Sequence, residues 1–245
     1  MSMLNRDGVE LYYEVHGQGP ALLLSHGYSA TCQMWAGQVE ALAKHFTLIV
    51  WDMRGHGRSD SPEDQSAYSE AATVADMAAL LDAVGAGTAV LGGLSLGGYM
   101  SLAFHRAHRE RVGGLMLFDT GPGYRADEAR EGWNQRALRT AERFEAKGQR
   151  GLALAARGML AQRDDAVIAS LPAIAVPTLV VVGADDTPFL AASDYMAAKI
   201  PGARKVVIPD AGHEANIDQP EAFNAAVLGF LREAGLMGTL VAPGG

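Results

Sequence analysis

The sequence has little cysteine, no cluster of basic residues and an excess of acidic ones. Cys32 is the only cysteine among 245 residues, so the chain can form neither an internal disulfide nor a thiolate metal cage. Lys and Arg number 20 against 28 Asp and Glu, which gives a formal net charge of −8. This balance argues against nucleic acid or an anionic membrane surface as the main partner.

Long apolar runs are also missing. No stretch approaches the length of a membrane span, and residues 1–8 lack the apolar centre of a signal peptide. We therefore expect a soluble cytoplasmic protein that binds no membrane, and both a monomer and a homodimer remain open. Apolar residues are plentiful, at 49%, which is enough for a large core in one α/β domain.

Strand and helix patterns alternate along most of the chain. Continuous apolar runs, typical of strands buried on both faces, occupy residues 21–25, 46–51, 88–92, 112–118, 177–183 and 204–209. Helical spacing of apolar residues occupies residues 33–45, 69–84, 96–108, 189–200 and 220–234. A turn signal at residues 6–8 predicts a β-hairpin at the start of the sequence, before the first of these runs. The alternation predicts an α/β fold, a mostly parallel central sheet with helices on both faces.

Residues 121–171 interrupt this alternation, because they carry helical patterns without a strand between them. Within residues 126–147, apolar residues recur at steps of three or four and place Trp133 and Phe144 on one face of an amphipathic helix. The members of this stripe are Ala129, Trp133, Ala137, Ala141 and Phe144. We predict a helical cap over the carboxyl edge of the sheet; the alternative is ordinary helical packing with Trp133 in the core. The predicted division is a core of residues 1–120 and 172–237, a cap of residues 121–171 and a frayed C-terminal tail of residues 238–245.

The stretch Gly93-Leu94-Ser95-Leu96-Gly97 has the pattern of a nucleophile elbow, a sharp turn from strand into helix. Such a turn strains the serine backbone and crowds its neighbours, so the flanking residues must be very small. It also points the free N–H groups of a helix start at the reacting atoms. In a chain with 29 glycines, an incidental glycine-rich turn fits the same pattern.

A serine nucleophile needs a base that takes its proton and an acid that orients the base. In nucleophile-elbow enzymes the order is Ser, then Asp or Glu, then His. His213 follows the last strand in a glycine-bearing loop and is the predicted base for Ser95. Asp186 is the predicted acid after the preceding strand, Asp185 is the alternative, and Asp119 at another strand end is a further rival.

Five motifs together resemble the α/β-hydrolase superfamily, over about residues 7–236. They are His26-Gly27, the run Asp52-Met53-Arg54-Gly55-His56-Gly57-Arg58-Ser59, Gly93-Leu94-Ser95-Leu96-Gly97, Gly183-Ala184-Asp185-Asp186 and Gly212-His213. The resemblance implies the α/β-hydrolase fold. It also implies an acid three residues after the strand-end glycine, which favours Asp186. The insertion is shorter than the multi-helix lids typical of the superfamily.

The resemblance further implies an oxyanion hole formed by the backbone N–H groups of Leu96 and Tyr28. It implies that His26 orders the loop before Tyr28. It also implies that residues 54–59 form a structural turn without a catalytic role. No metal, nucleotide or flavin cofactor is implied. Predicted walls of the substrate pocket are Tyr28, Leu96, Trp133, Phe189, Trp35 and Tyr124.

These residues predict hydrolysis of a small, uncharged, largely apolar ester or lactone through an acyl-enzyme on Ser95. Alternatives with the same residues are cleavage of a carbon–carbon bond in a β-diketone, and perhydrolase or haloperoxidase activity. A serine at this position argues against dehalogenases and epoxide hydrolases, which resemble the fold but use aspartate there. A non-catalytic hydrolase-like binding protein is the alternative from another class.

Overall fold

The computed structural model describes residues 2–237, and an eight-stranded sheet forms its centre. The strands are β1 Ser2–Arg6, β2 Val9–His16, β3 Ala21–Ser25, β4 Thr47–Trp51, β5 Ala89–Leu94, β6 Val112–Phe118, β7 Thr178–Gly183 and β8 Arg204–Ile208. Their order in the sheet is β1-β2-β4-β3-β5-β6-β7-β8. The pairs β1–β2 and β2–β4 are antiparallel, and every pair from β4 to β8 is parallel.

Helices cover both faces of this sheet, which confirms the predicted α/β class. They are α1 Ala36–Ala43, α2 Glu70–Ala83, α3 Leu96–Ala107, α4 Asp127–Glu145, α5 Arg150–Ala155, α6 Ala166–Ser170, α7 Thr187–Lys199, α8 Ala215–Asp218 and α9 Pro220–Glu233. The sequence patterns predict α1, α2, α3, α7 and α9 within a few residues, and α4, α5 and α6 lie in residues 121–171, the segment predicted to be helical. The four residues of α8 are too few to show a helical period. A 3₁₀ turn, Cys32–Trp35, replaces the predicted first turn of α1.

Two apolar clusters lie on opposite faces of the sheet. Met77 of α2 and Phe104 of α3 belong to one cluster, whereas Trp35, Phe223 and Leu231 belong to the other. All residues of β3, β5 and β7 are buried, as expected for strands covered on both faces. The continuous apolar runs of the sequence therefore correspond to the middle of the sheet.

The parallel register brings the carboxyl ends of the central strands to one edge. Leu94 of β5 pairs with Phe118 of β6, which pairs in turn with Val181 of β7. Ser95 and Asp119, the residues that follow two of these strands, therefore begin neighbouring loops. Ligands of open α/β sheets bind at this edge.

The elements between β6 and β7 are helical, as the sequence pattern predicts. They are α4, α5, a π-helical turn at Ala156–Leu160, and α6. On α4, Ala137 and Ala141 are buried and Trp133 and Phe144 are half-buried, which matches the predicted stripe. Ala129, predicted on the same stripe, is exposed.

Within residues 2–237, no helix combines the length and the apolar character that crossing a membrane requires. The same range contains no group of three or more His, Cys, Asp or Glu side chains placed to hold a metal ion. The predicted frayed tail, residues 238–245, lies outside the described residues.

Candidate active site

Ser95 forms the whole turn between a strand and a helix. β5 ends at Leu94 and α3 begins at Leu96, and the Ser95 backbone has φ 53° and ψ −113°. This positive φ is strained for a residue with a side chain. The Ser95 N–H donates to the Phe118 carbonyl at 2.9 Å, and the Thr120 hydroxyl donates to the Ser95 carbonyl at 2.6 Å. These two hydrogen bonds hold the strained residue on both sides.

The flanking glycines are a steric requirement of this turn. A Cβ added to Gly93 would lie 2.2 Å from the carbonyl carbon of Gly97, and one added to Gly97 would lie 2.2 Å from the carbonyl oxygen of Ser25. Both distances are far inside van der Waals contact, and backbone atoms cannot move away cheaply. The glycines therefore belong to the elbow, and an incidental glycine-rich turn does not explain them.

Asp186 and His213 come together although 27 residues separate them. His213 Nδ1 lies 2.8 Å from Asp186 Oδ2. A carboxylate accepts only, so Nδ1 carries the hydrogen and Nε2 is the ring nitrogen free to take a proton. The Asp186 side chain is 4% exposed and that of His213 is 41% exposed. Asp185, the alternative acid, is exposed, and the described side chains show no hydrogen bond or ion pair between it and His213.

Phe189 links this pair to the serine. Its ring stacks on the His213 ring with centroids 4.9 Å apart and an interplanar angle of 26°. Its backbone N–H donates to the Asp186 carbonyl at 2.9 Å, so the start of α7 places the aromatic ring beside the acid. Phe189 also lines the cavity into which Ser95 opens.

Asp119, the further rival, has a different environment. It is completely buried, and its Oδ1 accepts a hydrogen bond from the Gly183 N–H at 2.7 Å. Burial, together with the nearby Asp186 carboxylate, raises the pKa of Asp119 to about 8. No hydrogen bond joins Asp119 to His213 in the described residues, so the geometry assigns the orienting contact to Asp186.

A cavity of about 160 Å³ lies between Ser95 and the helices that follow β6. Four of the residues predicted for the site contribute to its wall besides Ser95: Leu96, Tyr124, Trp133 and Phe189. The wall is largely aromatic and aliphatic. Its size and lining fit a small acyl group better than a long chain.

Trp35 does not reach this cavity, and its predicted place in the pocket wall is wrong. The residue is fully buried on the opposite face of the sheet, where its ring lies 5.9 Å from that of Phe118. The 3₁₀ turn Cys32–Trp35 turns the chain toward the core there.

Arg136 lines the cavity and was not predicted. Of the described residues in the cavity wall, it alone carries a charge, and no described acidic side chain forms an ion pair with it. It lies one helical turn from Trp133 on α4, and that spacing is the signal in the sequence that could have identified it. Thr120 and Gln162 are two further polar residues of the wall that were not predicted.

Hydrogen bonds join α4 to the chain segment that lines the cavity. The Trp133 indole N–H donates to the Leu160 carbonyl at 2.6 Å. The Asn134 amide donates to the Gln162 carbonyl at 2.9 Å, and the Gln162 N–H donates back to the Asn134 amide oxygen at 2.8 Å. These contacts fix the end of the π-helical turn against α4.

The loop after β3 is ordered by a buried histidine. His26 Nε2 accepts from the Met53 N–H at 2.9 Å, and therefore Nδ1 carries the hydrogen and donates to the Gly27 carbonyl at 2.7 Å. Burial lowers the pKa of His26 to about 4, so the ring is neutral at pH 7. The geometry agrees with the loop-ordering task expected of His26.

This loop runs directly beside Ser95. A Cβ added to Gly27 would lie 3.7 Å from the Ser95 Cβ, which places the next residue, Tyr28, near the nucleophile. The Tyr28 hydroxyl donates to the Leu152 carbonyl at 2.8 Å, so its side chain contacts α5 and is absent from the cavity wall. Leu96 is the first residue of α3, and its N–H has no acceptor within the helix.

Comparisons with known proteins find esterases and enol-lactonases of similar sequence and fold. A solved esterase from Thermogutta terrifontis, with malate bound, is 34% identical with a TM-score of 0.84, over 95% of this chain and 97% of that one. The enol-lactonase from Burkholderia xenovorans LB400 is 27% identical with a TM-score of 0.79, over 94% and 100% of the two chains. The 3-oxoadipate enol-lactonase 1 of Acinetobacter baylyi is 27% identical over 93% of this chain and 95% of its own.

The sequence also matches a family described as the alpha/beta hydrolase fold, over residues 20–163 and 137–220. These ranges include the elbow, the loop of Tyr28 and the acid, and His213 falls within the second range. The family match covers most of the chain, and the sheet order, the strained serine and the histidine–carboxylate contact agree with it. The chain therefore belongs to the alpha/beta hydrolase fold family.

Proposed function

We propose that this hydrolase is a serine enzyme that cleaves a carboxylic ester or lactone through an acyl-enzyme. The observation that carries the proposal is the 2.8 Å contact between His213 Nδ1 and Asp186 Oδ2, at the same sheet edge as the strained Ser95. The contact leaves His213 Nε2 as the base. The names of the esterase and of the two enol-lactonases that this chain resembles support the same reaction class.

In the proposed mechanism, Ser95 Oγ attacks the carbonyl carbon while His213 Nε2 takes its proton. The N–H groups of Leu96 and Tyr28 donate to the oxyanion, and each such donor stabilises the transition state by about 3 kcal/mol. His213 then returns the proton to the leaving oxygen, which departs as an alcohol or stays attached as an opened lactone. Water, deprotonated by His213, attacks the acyl-enzyme and frees Ser95.

The test is turnover of p-nitrophenyl esters with short to medium acyl chains and of several lactones. We expect activity in the wild type and its loss in Ser95→Ala, with Ser66→Ala unchanged because Ser66 is exposed and outside the cavity wall. No turnover together with fluorophosphonate labelling of Ser95 would overturn the ester and lactone assignment in favour of another bond, such as a β-diketone carbon–carbon bond. No turnover and no labelling would overturn the serine mechanism.

Arg136 favours a second substrate class, an acyl group that ends in a carboxylate. A guanidinium without an acidic partner in an otherwise uncharged wall is suited to a bidentate carboxylate contact. The esterase of Thermogutta terrifontis was solved with malate, a dicarboxylate. In this protein, of net charge −8, such a substrate needs a local positive group.

The Arg136→Gln variant separates the two substrate classes. We expect kcat/KM to fall about 10- to 100-fold on mono-p-nitrophenyl succinate, which corresponds to one lost charge-assisted contact. Turnover of p-nitrophenyl butyrate should change little, and Arg139→Gln, an exposed arginine outside the cavity wall, serves as control. Equal losses on both esters would contradict a carboxylate contact and leave the neutral class.

A further inference from the structure

A buried carboxyl group that the mechanism does not use lies next to the acid of the site. Asp119 follows β6 with a φ of 45° and is completely buried. Its Oδ1 accepts from the Gly183 N–H, but its buried Oδ2 has no hydrogen bond of normal geometry. The Ala215 N–H lies near the carboxyl group and favours its charged form, but this effect is smaller than that of burial, which raises the pKa. An unpaired buried carboxylate oxygen is costly, so this oxygen requires an explanation.

The neighbour of Asp119 is another carboxyl group. Asp119 lies within hydrogen-bonding reach of Asp186, which is itself bonded to His213. The acidic residues next to Asp186 and His213 in the sequence are Asp185 and Glu214, and both are exposed. No cationic side chain from the described loops compensates two charges at this point, apart from His213 when it is protonated.

Two touching carboxyl groups cannot both be ionised at low cost, but one proton between them makes the contact favourable. Asp186 must stay ionised to accept the bond from His213 Nδ1, so the proton belongs to Asp119. As O–H, the Asp119 Oδ2 becomes a donor, and the buried oxygen gains the partner it lacks as a carboxylate. The raised pKa of Asp119, about 8, agrees with this assignment.

We propose that Asp119 is a positioning residue that is protonated at neutral pH and donates a hydrogen bond to the Asp186 carboxylate. Asp186 is then held from two sides, by His213 and by Asp119, and the pair carries one negative charge. The function of this contact rests on the proposed triad. The proton itself is measurable without any substrate, so it can be tested even if the proposed reaction is wrong.

The Asp119→Asn variant is a close structural match to the protonated form. Its amide oxygen can accept from the Gly183 N–H, and its amide nitrogen can donate to Asp186, but it does not titrate. In the wild type, loss of the proton above pH 8 places two carboxylates in contact and removes the donor. We therefore expect kcat/KM to decline above about pH 8 in the wild type and not in Asp119→Asn.

The first measurement is the infrared difference spectrum between the wild type and Asp119→Asn at pH 7. We expect a protonated-carboxyl C=O band in the wild type that disappears as the pH rises, because the group carries its proton in the folded protein. The absence of that band at pH 7 would overturn the proposal, whatever reaction the enzyme catalyses.

The second measurement is the pH profile of kcat/KM for the same two proteins, with Asp119→Ala as a variant that lacks both bonds. Asp119→Asn should keep activity within about threefold of the wild type at pH 7, since both hydrogen bonds are kept. Asp119→Ala should lose at least about tenfold. A folded but inactive Asp119→Asn, or an alkaline decline that persists in it, would overturn the positioning role.

Discussion

The site depends on a strained backbone conformation at Ser95. A non-glycine residue at φ 53° costs about 1–3 kcal/mol, and persists only where its surroundings hold it. The surroundings are the Phe118 carbonyl on one side and the Thr120 hydroxyl on the other. Thr120 therefore controls the aim of the nucleophile without taking part in proton transfer.

Replacing Thr120 by valine keeps its shape and removes the hydroxyl. We expect kcat on p-nitrophenyl esters to fall by about tenfold, and the free energy of unfolding by about 1 kcal/mol, because one buried hydrogen bond is lost. Thr178→Val is the matched control, since Thr178 is equally buried and donates to the Val176 carbonyl at the other end of the sheet. It should lose similar stability and keep its kcat. An unchanged kcat in Thr120→Val would contradict the role.

The histidine tautomer depends on one carboxylate. In Asp186→Asn the amide can donate to His213 Nδ1, which moves the ring hydrogen to Nε2 and removes the base. We expect kcat to fall by roughly 10³- to 10⁴-fold, the size of effect seen when the acid of such a triad is replaced by its amide. Asp185→Asn is the neighbouring control and should keep full activity. Comparable losses in both variants would show that Asp185 also supports the histidine.

At the scale of elements, the substrate cavity depends on how α4 is attached to the segment after the π-helical turn. The elbow belongs to β5 and α3, whereas much of the cavity wall comes from residues 121–162. The reciprocal bonds between Asn134 and Gln162 join these two parts of the wall. Substrate binding and the chemical step therefore rest on different elements.

The Asn134→Ala variant tests this separation. We expect KM for p-nitrophenyl esters to rise by about 10- to 30-fold, since two hydrogen bonds of about 1 kcal/mol each are lost at the wall. kcat should change little, because Ser95 and His213 lie on other elements. Gln135→Ala is the control, as the exposed Gln135 contacts only Glu131 on the surface of α4. A fall in kcat with unchanged KM would contradict the separation.

At the scale of the whole molecule, Asp119 couples the site to stability. Its pKa is about 8 in the fold and near 4 in an unfolded chain, so the native state binds more protons between these values. The contribution of Asp119 to the free energy of unfolding therefore falls as the pH rises from about 4 to 8, by at most about 1.4 kcal/mol per pH unit. The lowered pKa values of His26 and His56, about 4 and about 3, act in the opposite direction below pH 6.5.

Urea unfolding at pH 5, 6, 7 and 8 measures this coupling. The difference in unfolding free energy, Asp119→Asn minus wild type, should rise steadily with pH, because the amide has no proton to lose. Contributions of His26 and His56 are common to both proteins and cancel in the difference. A difference that is constant from pH 5 to 8 would contradict a buried, protonated Asp119.

The alternation of strands and helices and the elbow at Ser95 could both be predicted from the amino-acid sequence. Both follow from local physics. Apolar periodicity reports which faces of a short segment are buried, and the glycines around Ser95 report a turn too crowded for side chains. The helical character of residues 121–171 was equally local. The chain order typical of nucleophile-elbow enzymes then predicted His213 as the base, and the resemblance to a known superfamily favoured Asp186 as the acid.

Features that depend on contacts between distant segments became visible only in the folded structure. It brought Asp186 rather than Asp185 to His213, turned Trp35 into the core and placed Arg136 in the cavity wall. Adjacent residues in a loop point in different directions, and which of them meets a partner depends on packing that no short window of sequence contains. The pairing of two carboxyl groups beneath the site has the same origin, because it needs the ends of β6 and β7 side by side.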